Sequence, residues 1–153
     1  MSEYTFQTER YRDVAEELKV LLPLHWKELA LYQDDISLDP DYDFYSRLDE
    51  IGGMAMFTVR KDGELRGYAV YFVRPHPHYK SAKWAVADIF WLHPEDRRGN
   101  IGHKLFGTVE RGLAEIGVNV MHTTTKVHSP AAGFLLESMG HAMVEKGYSK
   151  RIG

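Results

Sequence analysis

Cysteine is missing from all 153 residues, so neither disulfides nor thiolate chemistry is open to this chain. Long apolar runs are missing too. No stretch approaches the roughly 18 residues of a membrane span, and the first residues carry no signal-peptide pattern. A surplus of positive charge is absent, the formal net charge being −3, which argues against bulk nucleic-acid binding. There is no Walker-type lysine loop, no dinucleotide fingerprint, and no internal repeat or linker. What remains is the composition of an ordinary globular protein, 44% hydrophobic and 27% charged, long enough to bury a core. The expectation is one domain over residues 1–153, cytoplasmic, with neither nucleic acid nor membrane as partner.

The chain is organised around residues 84–117. Trp84-Ala-Val-Ala-Asp-Ile-Phe-Trp-Leu92 is nearly all apolar, with Asp88 its only charge, and reads as a strand covered on both faces. His93-Pro94 ends it, because proline cannot donate to a ladder. Beyond the loop, Ile101, Leu105, Val109, Leu113 and Ile116 form one helical stripe. The loop between, Glu95-Asp-Arg97-Arg98-Gly99-Asn100-Ile101-Gly102-His103, therefore delivers the chain to a helix N-terminus. Such an end carries unpaired N–H groups and the positive end of the dipole, which together receive an anion. Gly99 and Gly102 allow close approach to the backbone, and Arg97 and Arg98 add positive charge. A phosphate-bearing ligand and an ordinary strand-to-helix turn are both compatible with the turn chemistry alone.

Before this unit, Tyr4–Thr8 reads as an edge strand. Helical spacing follows from Glu9 through Val14, Leu18, Leu21 and Leu22, is interrupted by Pro23, and resumes from about Leu24 to Tyr32. His25 and Glu28 lie at i, i+3 on one face, flanking Trp26. Residues 34–45 interleave five aspartates with three aromatics, a loop suited to a cationic amine or simply solvated, with Asp41 or Asp43 near the start of a short helix to Ile51. Met54–Arg60 and Leu65–Arg74 are strands joined by a Lys61-Asp-Gly-Glu64 hairpin turn. His76 and His78 are two residues apart in Pro75-His-Pro-His-Tyr79; with no third ligand by spacing, metal is the minor alternative to pocket lining or an exposed loop. Val118–Lys126 reads as a strand, Ser129 or Pro130 to Gly140 as a helix, and His141–Val144 and Tyr148–Ile152 as short strands.

Leu92-His-Pro-Glu-Asp-Arg97-Arg-Gly-Asn-Ile-Gly102 resembles the acetyl-CoA-binding motif of the GNAT N-acetyltransferase superfamily. In that motif a strand end leads through Arg/Gln-x-x-Gly-x-Gly/Ala into a helix. Arg97, Ile101 and Gly102 match, whereas Asn100 replaces the usual first glycine and Gly99 sits one residue early. The order of elements is similar to the family's over essentially the whole chain. The resemblance implies an α/β (α+β) GNAT fold: a mixed, mostly antiparallel sheet of six to seven strands flanked by about four helices. The strands before and after the core helix would splay apart to admit the cofactor's pantetheine. The His25-Trp26-x-Glu28, Pro-His-x-His-Tyr79 and Tyr148-Ser-Lys150 stretches further resemble small stand-alone members found in bacteriophages.

What the resemblance implies chemically is acetyl transfer from acetyl-CoA to a primary amine of a small molecule or protein. The donor would be held by the backbone of residues 97–102, with His103 beside it, and by strand hydrogen bonds at Phe90, Trp91 and Leu92. Asp88 is the first candidate base, since desolvation in an apolar strand raises its pKa. Glu28 and His78 are the fallbacks. The position where the superfamily often has an acidic tyrosine is Leu136, which leaves Tyr148, His128, Ser129 or solvent to protonate the thiolate. His25, Trp26, His76 and Tyr79 are the expected acceptor-site residues. A homodimer is admitted. The rival from another class is a catalytically idle GNAT-fold module acting through a protein partner; a third is an unrelated phosphate-binding protein.

Overall fold

The computed structural model describes residues 2–153. Its central sheet has five strands in the order of the chain: β1 (Tyr4–Glu9), β2 (Met54–Lys61), β3 (Glu64–His76), β4 (Tyr79–Leu92) and β5 (Val120–His122). The first four pair antiparallel and β5 joins β4 in parallel, so the sheet is mixed. Helices α1 (Tyr11–Leu29) and α2 (Tyr42–Glu50) cover one face, and α3 (Ile101–Glu115) and α4 (Ala131–Ser138) cover the other.

Two expectations about α1 and the C-terminal region are corrected. Pro23 does not break the first helix, which runs through it from Tyr11 to Leu29. Proline forfeits one helical bond. The stripe Tyr11, Val14, Leu18 and Leu22 seats the helix on the sheet before it, and His25 is anchored to Tyr68 after it. The sheet has five strands because His141–Val144 and Tyr148–Ile152 form no regular structure, and the strand expected over residues 118–126 shrinks to Val120–His122. Their alternating apolar residues read locally as strands, yet Met143, Val144, Tyr148 and Ile152 are exposed and no strand lies beside them. Strand propensity without a neighbour to pair with does not make a strand.

The hairpin at Asp62-Gly63 forms as expected, with both residues at positive φ (50° and 86°), the geometry that matches strand twist. The second hairpin differs. β3 extends to His76 and β4 begins at Tyr79, so the Pro75–Tyr79 stretch is a tight turn between long strands rather than a loop. On the far face α3 buries Ile101, Leu105, Phe106, Val109 and Leu113, while Ile116, the last residue of the expected stripe, is exposed. Gly112 lets this helix lie close: a Cβ there would stand 2.4 Å from the Phe57 ring.

Candidate active site

The site follows from one irregularity in β4. Val70 pairs with Ile89 but the next residue, Tyr71, pairs with Ala87, leaving Asp88 as the extra residue of a β-bulge. Side chains alternate along a strand, and the bulge resets the alternation. Ala85 and Ala87 face α3 before it, and Phe90 and Leu92 face α3 after it. Ile89 and Trp91 consequently join the α1/α2 side, where Asp88 accepts a short hydrogen bond from the Tyr45 hydroxyl of α2. Burial pushes the Asp88 carboxyl above its usual range, and the Tyr45 bond only partly opposes this. Burial likewise raises the Tyr45 phenol, so Tyr45 stays a donor.

Beyond the bulge, β4 loses its parallel neighbour. β5 pairs only with Trp84–Val86. His93 N–H donates to Arg66 C=O, so by alternation the backbone groups of Phe90 and Leu92 point the other way, toward the open edge. There Arg97 Nε takes the Leu92 carbonyl and, among the described residues, leaves the Phe90 groups and the Leu92 N–H free. A fork between β4 and β5 results, walled by peptide groups. Across its root the Tyr71 ring passes over the small Ala87 to bond Thr123 at 2.7 Å. The phenol is fully buried and its pKa is raised by that burial.

The strand then enters a 3₁₀ turn, Pro94–Asp96, and the N-terminus of α3. Asp96 is fully buried and holds the turn in place, taking bonds from Tyr4 (2.5 Å) and Arg66 (2.6 Å). Burial alone would raise its pKa; those two bonds outweigh it and keep the carboxylate charged. Gly99 adopts φ +58°, a left-handed turn that glycine makes without cost. α3 starts without a capping side chain and without an acidic residue in its first turn. Among the described residues, the N–H groups of Gly99, Asn100, Gly102 and His103 have no protein partner, nor does the Arg98 guanidinium. Unpartnered N–H groups at a dipole's positive end, one arginine and no competing carboxylate form a cradle for phosphate. A diphosphate-bearing cofactor such as coenzyme A fits this end, and a pantetheine-like chain fits the polar edge of the fork.

The other anticipated residues fall into three groups. Glu28 and Arg97 pair with each other, in a two-point bridge of 2.6 and 2.7 Å, and Arg97 Nε also donates to Leu92 C=O at 2.7 Å. Glu28 further accepts from Trp91 Nε1 at 2.9 Å. The Arg97 bond holds its pKa below the usual range, which leaves it a tether between α1 and the loop and a poor base. His25 belongs to the same wall: its Nδ1 pairs with the Tyr68 hydroxyl at 2.7 Å and its ring stacks on Trp91. Burial lowers its pKa to about 4, so it is neutral near pH 7. Trp26 is half-buried beside it, and Trp91 itself faces α1, which limits its cofactor role to the backbone.

His76, His78, Tyr79 and Trp84 cluster at the β3–β4 turn, with the His76 ring 4.7 Å from that of Trp84. His78 lies exposed at the turn itself. No metal-holding group of three or more acidic or histidine side chains exists among the described residues. Tyr148 is 92% exposed on the C-terminal segment, and Leu136 is buried in the core. His103 is turned to Ser138 of α4, 3.0 Å away, so it offers the loop its backbone. Sequence reasoning missed Tyr45, Tyr71, Thr123 and Asp96. Tyr45 and Asp96 sat in quoted stretches, but nothing in their spacing announced partners 43 and 92 residues away.

The Acetyltransferase (GNAT) family profile matches residues 18–141, and the chain belongs to that family. Solved structures share the fold at low identity. A ribosomal-protein-alanine N-acetyltransferase from Brucella melitensis biovar Abortus 2308 superposes with TM-score 0.73 at 20% identity, covering 99% of this chain and 100% of that one. The aminoglycoside N-acetyltransferase AAC(6')-Iy in complex with CoA gives 0.75 at 16%, covering 99% and 96%. A "predicted acetyltransferase" with acetyl-CoA from Clostridium acetobutylicum gives 0.71 at 8%, covering 97% and 96%. No curated protein sequence matches.

Proposed function

We propose that this protein is an acetyl-CoA-dependent N-acetyltransferase of primary amines. The observation that carries the reading is the continuity of three features on β4: the Asp88 bulge, the open edge at Phe90–Leu92, and the uncapped α3 N-terminus. The family and the CoA-bearing relatives support it. No helix of the described residues is long and apolar enough to cross a membrane, in keeping with work in the cytoplasm.

Acetyl-CoA supplies an activated acyl thioester. The chain's own groups do the rest. The N–H groups of Gly99, Asn100, Gly102 and His103 and the Arg98 side chain would grip phosphate, and the Phe90 peptide groups would orient the donor as an added strand does. The Leu92 N–H polarises an acyl carbonyl. Asp88, with its raised pKa, takes a proton from an ammonium group directly or through water, and Tyr45 fixes its orientation. Leu136 provides no acid. The Tyr71–Thr123 hydroxyl pair at the fork is buried and burial weakens its phenol as an acid, which leaves solvent to protonate the thiolate.

A melting curve with acetyl-CoA, and with CoA and ATP as controls, tests the cofactor. A ligand bound only by the native state stabilises it by about 2.7 kcal/mol at a hundred times its dissociation constant. An upward shift with both CoA forms, exceeding that with ATP, is expected. Absence of a shift at millimolar ligand sinks the reading and favours a module that acts through a protein partner. Asp88→Asn tests the base. The base form is populated above the carboxyl's raised pKa, so wild-type turnover climbs with pH through it, and the variant loses both rate and that limb. Unchanged activity would make Asp88 structural.

A further inference from the structure

The α1/α2 face of β4 continues past Asp88 into a cavity of about 520 Å³ at the β3–β4 turn. Its walls are Arg74, His76, His78, Trp84, His122 and Glu145. Arg74 and Trp84 are cross-strand partners and Val86 pairs with His122, so these side chains share the face that carries Asp88. The wall carries one arginine and one carboxylate. Among the described residues Arg74 has no ion-pair partner, whereas Glu145, the one carboxylate in the wall, lies 3.7 Å from His122 Nε2. Trp84 supplies a flat apolar floor, ringed by His76 at 4.7 Å and by stacked Tyr79 at 6.1 Å.

From this arrangement we infer the acceptor class: an amine that carries an anionic group, carboxylate or phosphate, about 10 Å from the reacting nitrogen. The inference rests on the proposed acetyl transfer at Asp88. A strand rises about 3.4 Å per residue, which puts Val86 about 7 Å and Trp84, with its cross-strand partner Arg74, about 14 Å from Asp88 on one face; the Arg74 side chain, which lines the same cavity as Val86, spans about 4 Å of that gap and leaves about 10 Å. With its amine at Asp88, an extended acceptor lays its body over Val86 and Trp84 and brings its anion to Arg74. A lone arginine beside imidazoles attracts an anion and repels a polycation. Two aspartates of the acidic 34–45 loop are engaged elsewhere, Asp35 pairing with Arg151 at 2.8 Å and Asp41 capping α2. The cavity therefore suits a different substrate from the polycationic aminoglycosides named for several fold relatives.

Matched amines test the inference. Triglycine, which spans about 10 Å when extended, is compared with triglycine amide, and 6-aminohexyl phosphate with 6-aminohexanol; an aminoglycoside is the polycation control. CoA release gives kcat/KM, and calorimetry in the presence of CoA gives amine affinity. Each anionic amine is expected to exceed its neutral twin by about tenfold, the value of a charge-assisted hydrogen bond. Whichever pair shows the larger ratio identifies carboxylate or phosphate. Arg74→Gln should bring the ratios to within about twofold, and Arg74→Lys should restore part of them. Equal use of the twins, preference for the aminoglycoside, or ratios indifferent to Arg74→Gln would overturn the inference while leaving acetyl transfer intact. If no amine releases CoA but the anionic ones still bind through Arg74, the anion site stands and the transfer reading falls.

Discussion

His25 makes the acid side of the stability curve a direct probe of the wall between α1 and the sheet. Burial lowers its folded-state pKa from 6.5 to about 4. The unfolded chain thus takes up a proton on His25 between these values while the folded chain does not. Stability is full above pH 6.5 and is lost as pH falls toward 4. A unit of pKa difference is worth about 1.4 kcal/mol, which gives about 2 kcal/mol lost by pH 5 and about 3 kcal/mol by pH 4. For a chain of this size, 2 kcal/mol is about 4–8 °C in Tm. The assay is urea unfolding of wild type and His25→Gln at pH 7 and pH 5. Glutamine can still partner the Tyr68 hydroxyl, so the variant pays a roughly constant penalty and loses the pH-dependent part. The difference between the two proteins should shrink by about 2 kcal/mol on going from pH 7 to pH 5. A difference that stays constant would show that His25 is not held neutral by burial, and that the contact with Trp91 and Tyr68 is looser than described.

Two further substitutions separate the roles of neighbouring groups. Arg98→Gln should weaken acetyl-CoA binding about tenfold, as loss of a charge-assisted contact does, whereas Arg97→Gln, whose native partner is Glu28, should weaken it less. Calorimetry showing the reverse order would return Arg97 to the phosphate site. Gly112→Ala places a methyl against the buried Phe57 ring and should cost about 1–3 kcal/mol by overpacking. A melting temperature within a degree of wild type would mean that α3 can back away from the sheet.

Local patterning determined much of this protein. The apolar run of β4, the Asp62-Gly63 turn, the α3 stripe from Ile101 to Leu113 and the glycine-bearing loop at its start are short-range matters of periodicity and backbone freedom, and they are legible without a partner. The place of the anion cradle came with them, and the fold class followed from the resemblance of that strand-loop-helix motif and of the element order to the GNAT family. What tertiary structure alone decided were the partnerships. Arg97 looked like a phosphate ligand and Glu28 like a base until the fold set them 2.6 Å apart across 69 residues. Asp88 was a candidate base from its apolar strand alone, but its Tyr45 partner on α2 came from the fold, and the bulge beside it arises because the opposing strand lacks one residue there, which no inspection of β4 by itself reveals. The two C-terminal strand patterns failed for the complementary reason: a strand needs a neighbour, and the sequence records propensity, not company.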